Sequence, residues 1–355
     1  MTVSQERAPS GEGITYASAG VNLAAAEDNV RRIARHVRST QGPSVIGKFG
    51  AFAGLFHLQG VRDPVLVAST DGVGSKVLLG SQLGRYDVLG SDLVNLSVND
   101  VLTAGARPLF FLDYVGVHAI EPAVMEALVS GMAAACREND CALLGGETAQ
   151  LADLYASGQM DLAGTVVGVV ERGAEIDGSR VQPGDRVWGL PSTGLHTNGF
   201  SLARQVVAGL DLASDPGGRL GQPLGEALLA PHPSYYPPLA KLLPELKAIA
   251  HITGGGIPGN LPRVLPESVS VELSWGAWPV PPIFAVLQDL GRIPDDEMLR
   301  VFNMGVGLIF VAPATLDPRQ QCPSAIEIGR VIPPESERVI FNGALSTAVR
   351  GPIHR

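Results

Sequence analysis

Cations are scarce in this chain: 26 Lys and Arg stand against 35 Asp and Glu, a net charge of −9 over 355 residues. Nucleic acid and anionic membranes are gripped by clustered Lys and Arg, so this balance argues against both as partners. Cysteine is almost missing. Cys136, Cys141 and Cys322 have neither metal-ligand spacing nor an even count, which argues against a disulfide framework and predicts reduced, buried thiols in a cytoplasmic protein. No apolar run reaches the ~20 residues that a membrane span needs. Residues 1–13 are polar and glycine-bearing, without the apolar stretch of a signal peptide, and are expected to form a flexible N-terminus.

Glycine and proline are plentiful, 43 and 27 residues, which predicts many tight turns and loops that carry the chemistry. The length predicts two units, 14–172 and 173–355, joined where Gly173, Gly178, Pro183 and Gly184 interrupt the pattern. In the first, strands are expected at 55–58, 65–68, 109–117, 141–144 and 161–170, with helices from Asn22, over 88–104 and over 122–138. In the second, strands are expected at 186–190, 305–312 and 325–332, with helices near 199–208, 233–248, 257–265 and 281–290. Both units mix strands and helices, so the fold class is α/β (α+β).

The most telling segment is Ala68-Ser-Thr-Asp-Gly-Val-Gly-Ser-Lys76. A short strand delivers an acid, two glycines, a hydroxyl and a lysine into one turn, a combination suited to phosphate and metal. Asp71 supplies the hard oxygen that Mg²⁺ takes when it is shared with phosphates. The Gly42–Lys48 stretch imitates a P-loop, but Phe49 stands where that loop needs a hydroxyl. On the helix expected over 88–104, Asp92, Asn95 and Asn99 fall on one face, followed by Asp100. Short carboxylates and amides there favour Mg²⁺ over a solvated stripe. Gly145-Gly-Glu-Thr148 adds Glu147 and Thr148 beyond another strand.

In the second unit, Ser192, Thr193, His196, Thr197 and Asn198 follow a strand and precede a helix, offering donors and acceptors to a small polar ligand. His196 is the acid/base candidate because its ordinary pKa lies nearest neutrality; a role as hydrogen bonder at the helix entry is equally open. His251-Ile-Thr-Gly-Gly-Gly256 places Gly254, Gly255 and Gly256 between a strand and a helix, where a phosphate can bind.

Together these motifs resemble the phosphoribosylformylglycinamidine cyclo-ligase (aminoimidazole ribonucleotide synthetase) family. The resemblance runs from Tyr16-Ala-Ser-Ala-Gly-Val21 through Asp71–Lys76, Val98–Tyr114, Gly145–Thr148, His196–Leu202 and His251–Gly256 to Phe302–Leu308. It implies a homodimer in which the N-terminal units contribute strands to a shared β-barrel, each followed by a C-terminal α/β unit. It also implies ATP and Mg²⁺ as cofactors, and as reaction the ring closure of formylglycinamidine ribonucleotide (FGAM) to aminoimidazole ribonucleotide. Carried onto this chain, it implies Asp71, Gly72, Gly74, Ser75, Lys76 and Thr148 at ATP, and Asp71, Asn99, Asp100 and Glu147 at the metal. Ser192, Thr193, Thr197 and Gly254 to Gly256 would hold the substrate, with His196, Asn198 and Asp100 in catalytic roles. Thr197 stands where the family pattern has serine, and Lys48 and Ala51 interrupt a loop that is richer in glycine in the family. The same architecture serves an amidotransferase synthetase subunit, which needs a glutaminase, and small-molecule kinases. A non-catalytic nucleotide-binding module would be expected to have lost Asp71 or Lys76.

Overall fold

The computed structural model describes residues 23–343 and Leu345, so the expected flexible stretch 1–13, the Asn22 cap and the Tyr16–Val21 motif lie outside the described residues. The first unit runs α1 (Leu23–Arg38), a small hairpin β1 (Val45–Ile46) and β2 (Leu55–Phe56), β3 (Pro64–Gly72), α2 (Lys76–Gln82), α3 (Tyr86–Leu102), β4 (Arg107–Val117), α4 (Pro122–Glu138), β5 (Ala142–Gln150) and β6 (Met160–Glu171). Its main sheet has the order β3-β6-β4-β5, with only the β4/β5 pair parallel.

Helix α3 is the spine of this unit. Val88, Leu89, Leu93, Val94, Leu96, Val98, Val101 and Leu102 are all buried, as in a helix enclosed on every side. It lies against α4 with backbones nearly touching: a Cβ on Gly90 would fall 2.0 Å from Leu128 O, and one on Gly131 2.0 Å from Asp87 O. Glycine is the residue that permits such a crossing. Phe111, Val115 and Val166 join the same core. Elsewhere on this sheet Leu66, Leu112 and Tyr114 are exposed. Among the described residues this sheet is open, with β3 and β5 at its edges, so they do not form within one copy the closed barrel that the resemblance implies.

The second unit runs β7 (Arg186–Pro191), α5 (Phe200–Val206), α6 (Leu224–Leu228), α7 (Tyr236–Leu239), β8 (Ala248–His251), α8 (Gly256–Asn260), β9 (Ser270–Ser274), α9 (Pro282–Gly291), α10 (Asp295–Val301), β10 (Val306–Ala312), β11 (Ile326–Ile332) and β12 (Val339–Asn342). Its sheet has the order β12-β9-β11-β7-β10-β8, antiparallel except at β12/β9. Every residue of β10 is buried, which explains its unbroken apolar run. The helix expected over 233–248 is not there. Pro233, Pro237, Pro238 and Pro244 remove N–H groups from that stretch, leaving only α7, a 3₁₀ turn at Leu243–Glu245 and the start of β8.

The extended segment from Ala230 to Tyr235 is the strap that joins the units. It lies along the polar face of α3: Asp92 Oδ1 accepts from His232 N at 2.7 Å and Asn95 Nδ2 donates to His232 O at 2.9 Å. Asn99 Nδ2 donates to Pro233 O at 3.0 Å, and Asn99 Oδ1 accepts from Tyr235 N at 2.8 Å. The stripe read above as a metal face is therefore a docking strip, with its carboxylate and amides consumed by backbone groups of the strap.

Candidate active site

Where β3 and α3 meet β8 and the turn after it, a cavity of about 540 Å³ opens between the units. Its walls include Ser69, Asp71, Asp100 and Thr103 from the first unit and His251, Thr253, Asn260 and Arg263 from the second. Asp71 is the penultimate residue of β3 and lines the cavity, its Oδ1 accepting the Gly72 N–H at 2.7 Å. Burial around its carboxyl, with the nearby Asp100 charge, raises its pKa against the pull of the Gly72 N–H and His251.

Asp100 is held from both units. Ser69 Oγ donates to its Oδ2 at 2.9 Å, and His251 Nδ1 lies 2.8 Å from its Oδ1. Burial pushes the carboxyl up, but the His251 bond and charge and the Ser69 hydroxyl outweigh it and leave the pKa below the ordinary carboxylate value. His251 was visible in the sequence only as the head of the glycine loop; its pairing with Asp100 depends on the junction of the units. Arg263 is the cation on this wall. Its Nη1 donates to Asn260 Oδ1 at 3.1 Å, and it makes no ion pair among the described residues.

The loop after β8 is shaped by packing. A Cβ on Gly256 would fall 1.9 Å from Leu299 O, so that position admits only glycine. Asn260 Nδ2 gathers the loop carbonyls, with Gly256 O at 2.9 Å and Gly254 O at 3.2 Å. The helix that follows, α8, is only five residues long. Gly254 also adjoins Asn198, and Gly74 adjoins Thr197 O, so the three glycine-bearing loops converge.

Several expected site residues sit elsewhere. Lys76 is fully buried: its Nζ lies 2.5 Å from Asp92 Oδ2 and donates to Ala230 O at 3.0 Å, so its charge does not reach the cavity. Asn99 is consumed by the strap and is not a metal ligand here. Glu147 and Thr148 are on β5, at the far edge of the sheet from Asp71 on β3, with two strands between. That is roughly 14 Å at the usual strand spacing, so they do not share the Asp71 site within one chain. Ser192 Oγ donates to Asn303 Oδ1, Thr193 Oγ1 to Pro231 O, and Thr197 Oγ1 lies 3.4 Å from His232 Nδ1; all three hydroxyls have partners within the chain. Ser75 Oγ lies 3.2 Å from Ser201 Oγ. His196 is buried behind the loop, stacked on His232 with ring centroids 4.1 Å apart. Among the described residues no group of three or more His, Cys, Asp or Glu is arranged to hold a metal ion.

This chain thus has two linked α/β units with an acid-lined cavity at their junction, and each unit matches a family model of the AIR synthase related proteins. The model of the AIR synthase related protein N-terminal domain matches residues 53–170, and that of the C-terminal domain matches residues 182–342. A Myxococcus xanthus protein named phosphoribosylformylglycinamidine cyclo-ligase is 50% identical over 306 residues, covering 84% of this chain and 88% of that one. One of the same name from Shouchella clausii is 42% identical over 335 residues, covering 90% and 96%. The chain belongs to the phosphoribosylformylglycinamidine cyclo-ligase family. Its fold is also that of a thiamine-monophosphate kinase from Stenotrophomonas maltophilia (TM-score 0.65, 21% identity, 90% and 96% covered). The hydrogenase maturation protein HypE in complex with ATP is similar too (TM-score 0.61, 18% identity, 87% and 89% covered).

Proposed function

We propose that this chain closes the imidazole ring of aminoimidazole ribonucleotide from FGAM at the expense of ATP. The formamide oxygen attacks the γ-phosphorus and ADP leaves. The amidine nitrogen then attacks the same formamide carbon, and the carbon–oxygen bond breaks as phosphate departs. An amide oxygen is a poor nucleophile and a poorer leaving group, so the site must neutralise phosphate charge and exclude water. The observation that carries this reading is the junction cavity, where Asp71 and Asp100 from one unit face His251 and Arg263 from the other.

Two carboxylates on one cavity wall fit Mg²⁺, which binds through one or two carboxylates and shared phosphates. Asp71 and Asp100 would hold it, and the ion would screen the phosphate charge. Arg263 takes the cationic role first given to Lys76, and the Gly254–Gly256 loop, with Asn198 beside it, lies where a phosphate or the substrate would be gripped. The exposed Leu66, Leu112 and Tyr114 support a second copy of this chain as partner. No helix among the described residues is long and apolar enough to cross a membrane, and the three cysteines are free and buried, in keeping with a cytoplasmic enzyme.

The test is incubation with ATP, Mg²⁺ and FGAM, without glutamine or ammonia. Aminoimidazole product with stoichiometric ADP is expected. A phosphorylated product without ring closure would make the protein a kinase, and product only with an added nitrogen donor would make it an amidotransferase partner.

A further inference from the structure

His232 sits at the centre of the strap, 1% exposed, where groups from both units meet. Its Nε2 lies 3.1 Å from Asn99 Nδ2 and 3.2 Å from His251 Nε2, and its Nδ1 faces Thr197 Oγ1. The neighbours determine which nitrogen carries the proton. Asn99 Oδ1 accepts from Tyr235 N–H, so Asn99 Nδ2 is the donor end; one of its protons goes to Pro233 O and the other points at His232. His232 Nε2 is then an acceptor, and the ring proton is on Nδ1, toward Thr197. His251 Nε2 faces the same lone pair and must be a donor, because otherwise two lone pairs would oppose each other in a buried site; by the same rule its Nδ1 donates to the Asp100 carboxylate, so the His251 ring bears a proton on each nitrogen.

We propose that His232 is a positioning residue for the ring-closure reaction: by accepting from His251 Nε2 it fixes the rotation of the His251 ring, and through it the Asp100 carboxylate on the cavity wall. With only the 2.8 Å contact to Asp100, the imidazole could turn about its broad second torsion; the bond at the opposite nitrogen clamps it. Asn99 and Asp100 are neighbours on α3, whereas His232 and His251 belong to the second unit. The setting of the cavity acid is thereby keyed to the seating of the strap. This assignment rests on the reaction read above.

The experiment compares His232→Leu, which removes the acceptor, with His232→Gln, whose amide oxygen can replace Nε2. Turnover is measured alongside thermal melts and the histidine ¹⁵N spectrum of the native protein. Misplacing a reacting group by about an ångström lowers rates by up to about a hundredfold. His232→Leu is therefore expected to lower kcat by about ten- to a hundredfold with KM values held within about threefold, and His232→Gln to restore kcat to within about threefold of native. The native spectrum is expected to show His232 as the Nδ1–H tautomer. Native kcat in His232→Leu, equal losses in both variants in step with lowered melting, or an Nε2–H tautomer at His232 would each overturn the proposal. Turnover of the native protein checks the reaction separately, and should that fail, the tautomer still decides the hydrogen bonding assigned to His232.

Discussion

Lys76 Nζ lies 2.5 Å from Asp92 Oδ2 with both side chains closed off from water. Lys76 also donates to Ala230 O, and Asp92 Oδ1 accepts from His232 N, so the ion pair pins the strap to α3 at its first residue and its third. Burial pushes the Lys76 ammonium pKa down and the Asp92 carboxyl pKa up, while their mutual charge opposes both shifts. The lysine of the glycine turn therefore joins the two units, a structural task.

Breaking such a pair from one side leaves an uncompensated buried charge, which costs about 3–5 kcal/mol. Lys76→Met alone and Asp92→Asn alone are each expected to lower unfolding free energy strongly, and Lys76→Met with Asp92→Asn, whose amide oxygen still accepts from His232 N–H, to recover much of it. Denaturant titration of the three variants checks this. A Lys76→Met enzyme with native stability and a raised KM for ATP would return Lys76 to the nucleotide site.

The sequence pattern was informative about faces and silent about what they meet. Asp92, Asn95 and Asn99 do share one side of α3, as their spacing implies, but their partners lie more than 130 residues away on a strap of alternating prolines with no periodic signal. Strands such as β4 and β10 were legible from long apolar runs. Strands β9 and β12 and helices α2 and α10 were not anticipated: each has seven residues or fewer, too short for periodicity to speak. At the site, Asp71, Asp100 and the His251 loop were each conspicuous as motifs. That they face one another follows from the docking of two units, which local pattern does not encode.

Asp71→Asn should leave the fold intact, since the hydrogen bond from Gly72 N–H can pass to the amide oxygen. Mg²⁺-dependent ATP binding should weaken, because a charged ligand is replaced by a neutral one. Nucleotide affinity unchanged across a Mg²⁺ titration would remove Asp71 from the metal site.

Arg263→Gln tests the cation on the cavity wall. A hydrogen bond to a charged group contributes about 1.5–3 kcal/mol, so KM for ATP or for FGAM is expected to rise about ten- to a hundredfold. The melting temperature should stay close to native, since the side chain bonds only to Asn260 among the described residues. Which of the two KM values moves tells which phosphate this residue holds.

Asp113 on β4 gives a pH test. Burial, reinforced by the charge of Glu147, lifts its carboxyl pKa to about 7 despite a bond from its own N–H. The unfolded value is about 4, so the folded chain holds this proton more tightly. Stability from this group therefore falls as pH rises from about 4 to about 7 and is not regained above that. Asp113→Asn, neutral at every pH, should match the native protein at about pH 3.5, below both pKa values, and melt higher at about pH 8. A native-to-variant difference that is the same at both pH values would contradict the raised pKa.

His196 carries the sharpest contrast between cost and use. Its backbone is left-handed at φ 66°, which a side chain with a Cβ resists by about 1–2 kcal/mol. Neither ring nitrogen has a hydrogen-bond partner among the described residues, although the side chain is buried against His232 and Tyr235. Burial, with the charges of His251 and Lys76, pushes its pKa well below the ordinary histidine value, so the ring is neutral at pH 7. A hydrogen-bonding role at the helix entry would need a bond that is not there, and what remains is strain without structural return. His196→Met roughly conserves volume while removing both nitrogens together with the ring stacked on His232, so stability should change by less than about 1.5 kcal/mol. If the nitrogens serve proton transfer during turnover, kcat should fall by about two to four orders of magnitude. KM should change far less, because the lost interaction is made in the transition state. Kinetics beside a thermal melt decides the matter: a Met variant that melts like the native protein and turns over at its rate would end the catalytic assignment and leave His196 as packing behind the loop.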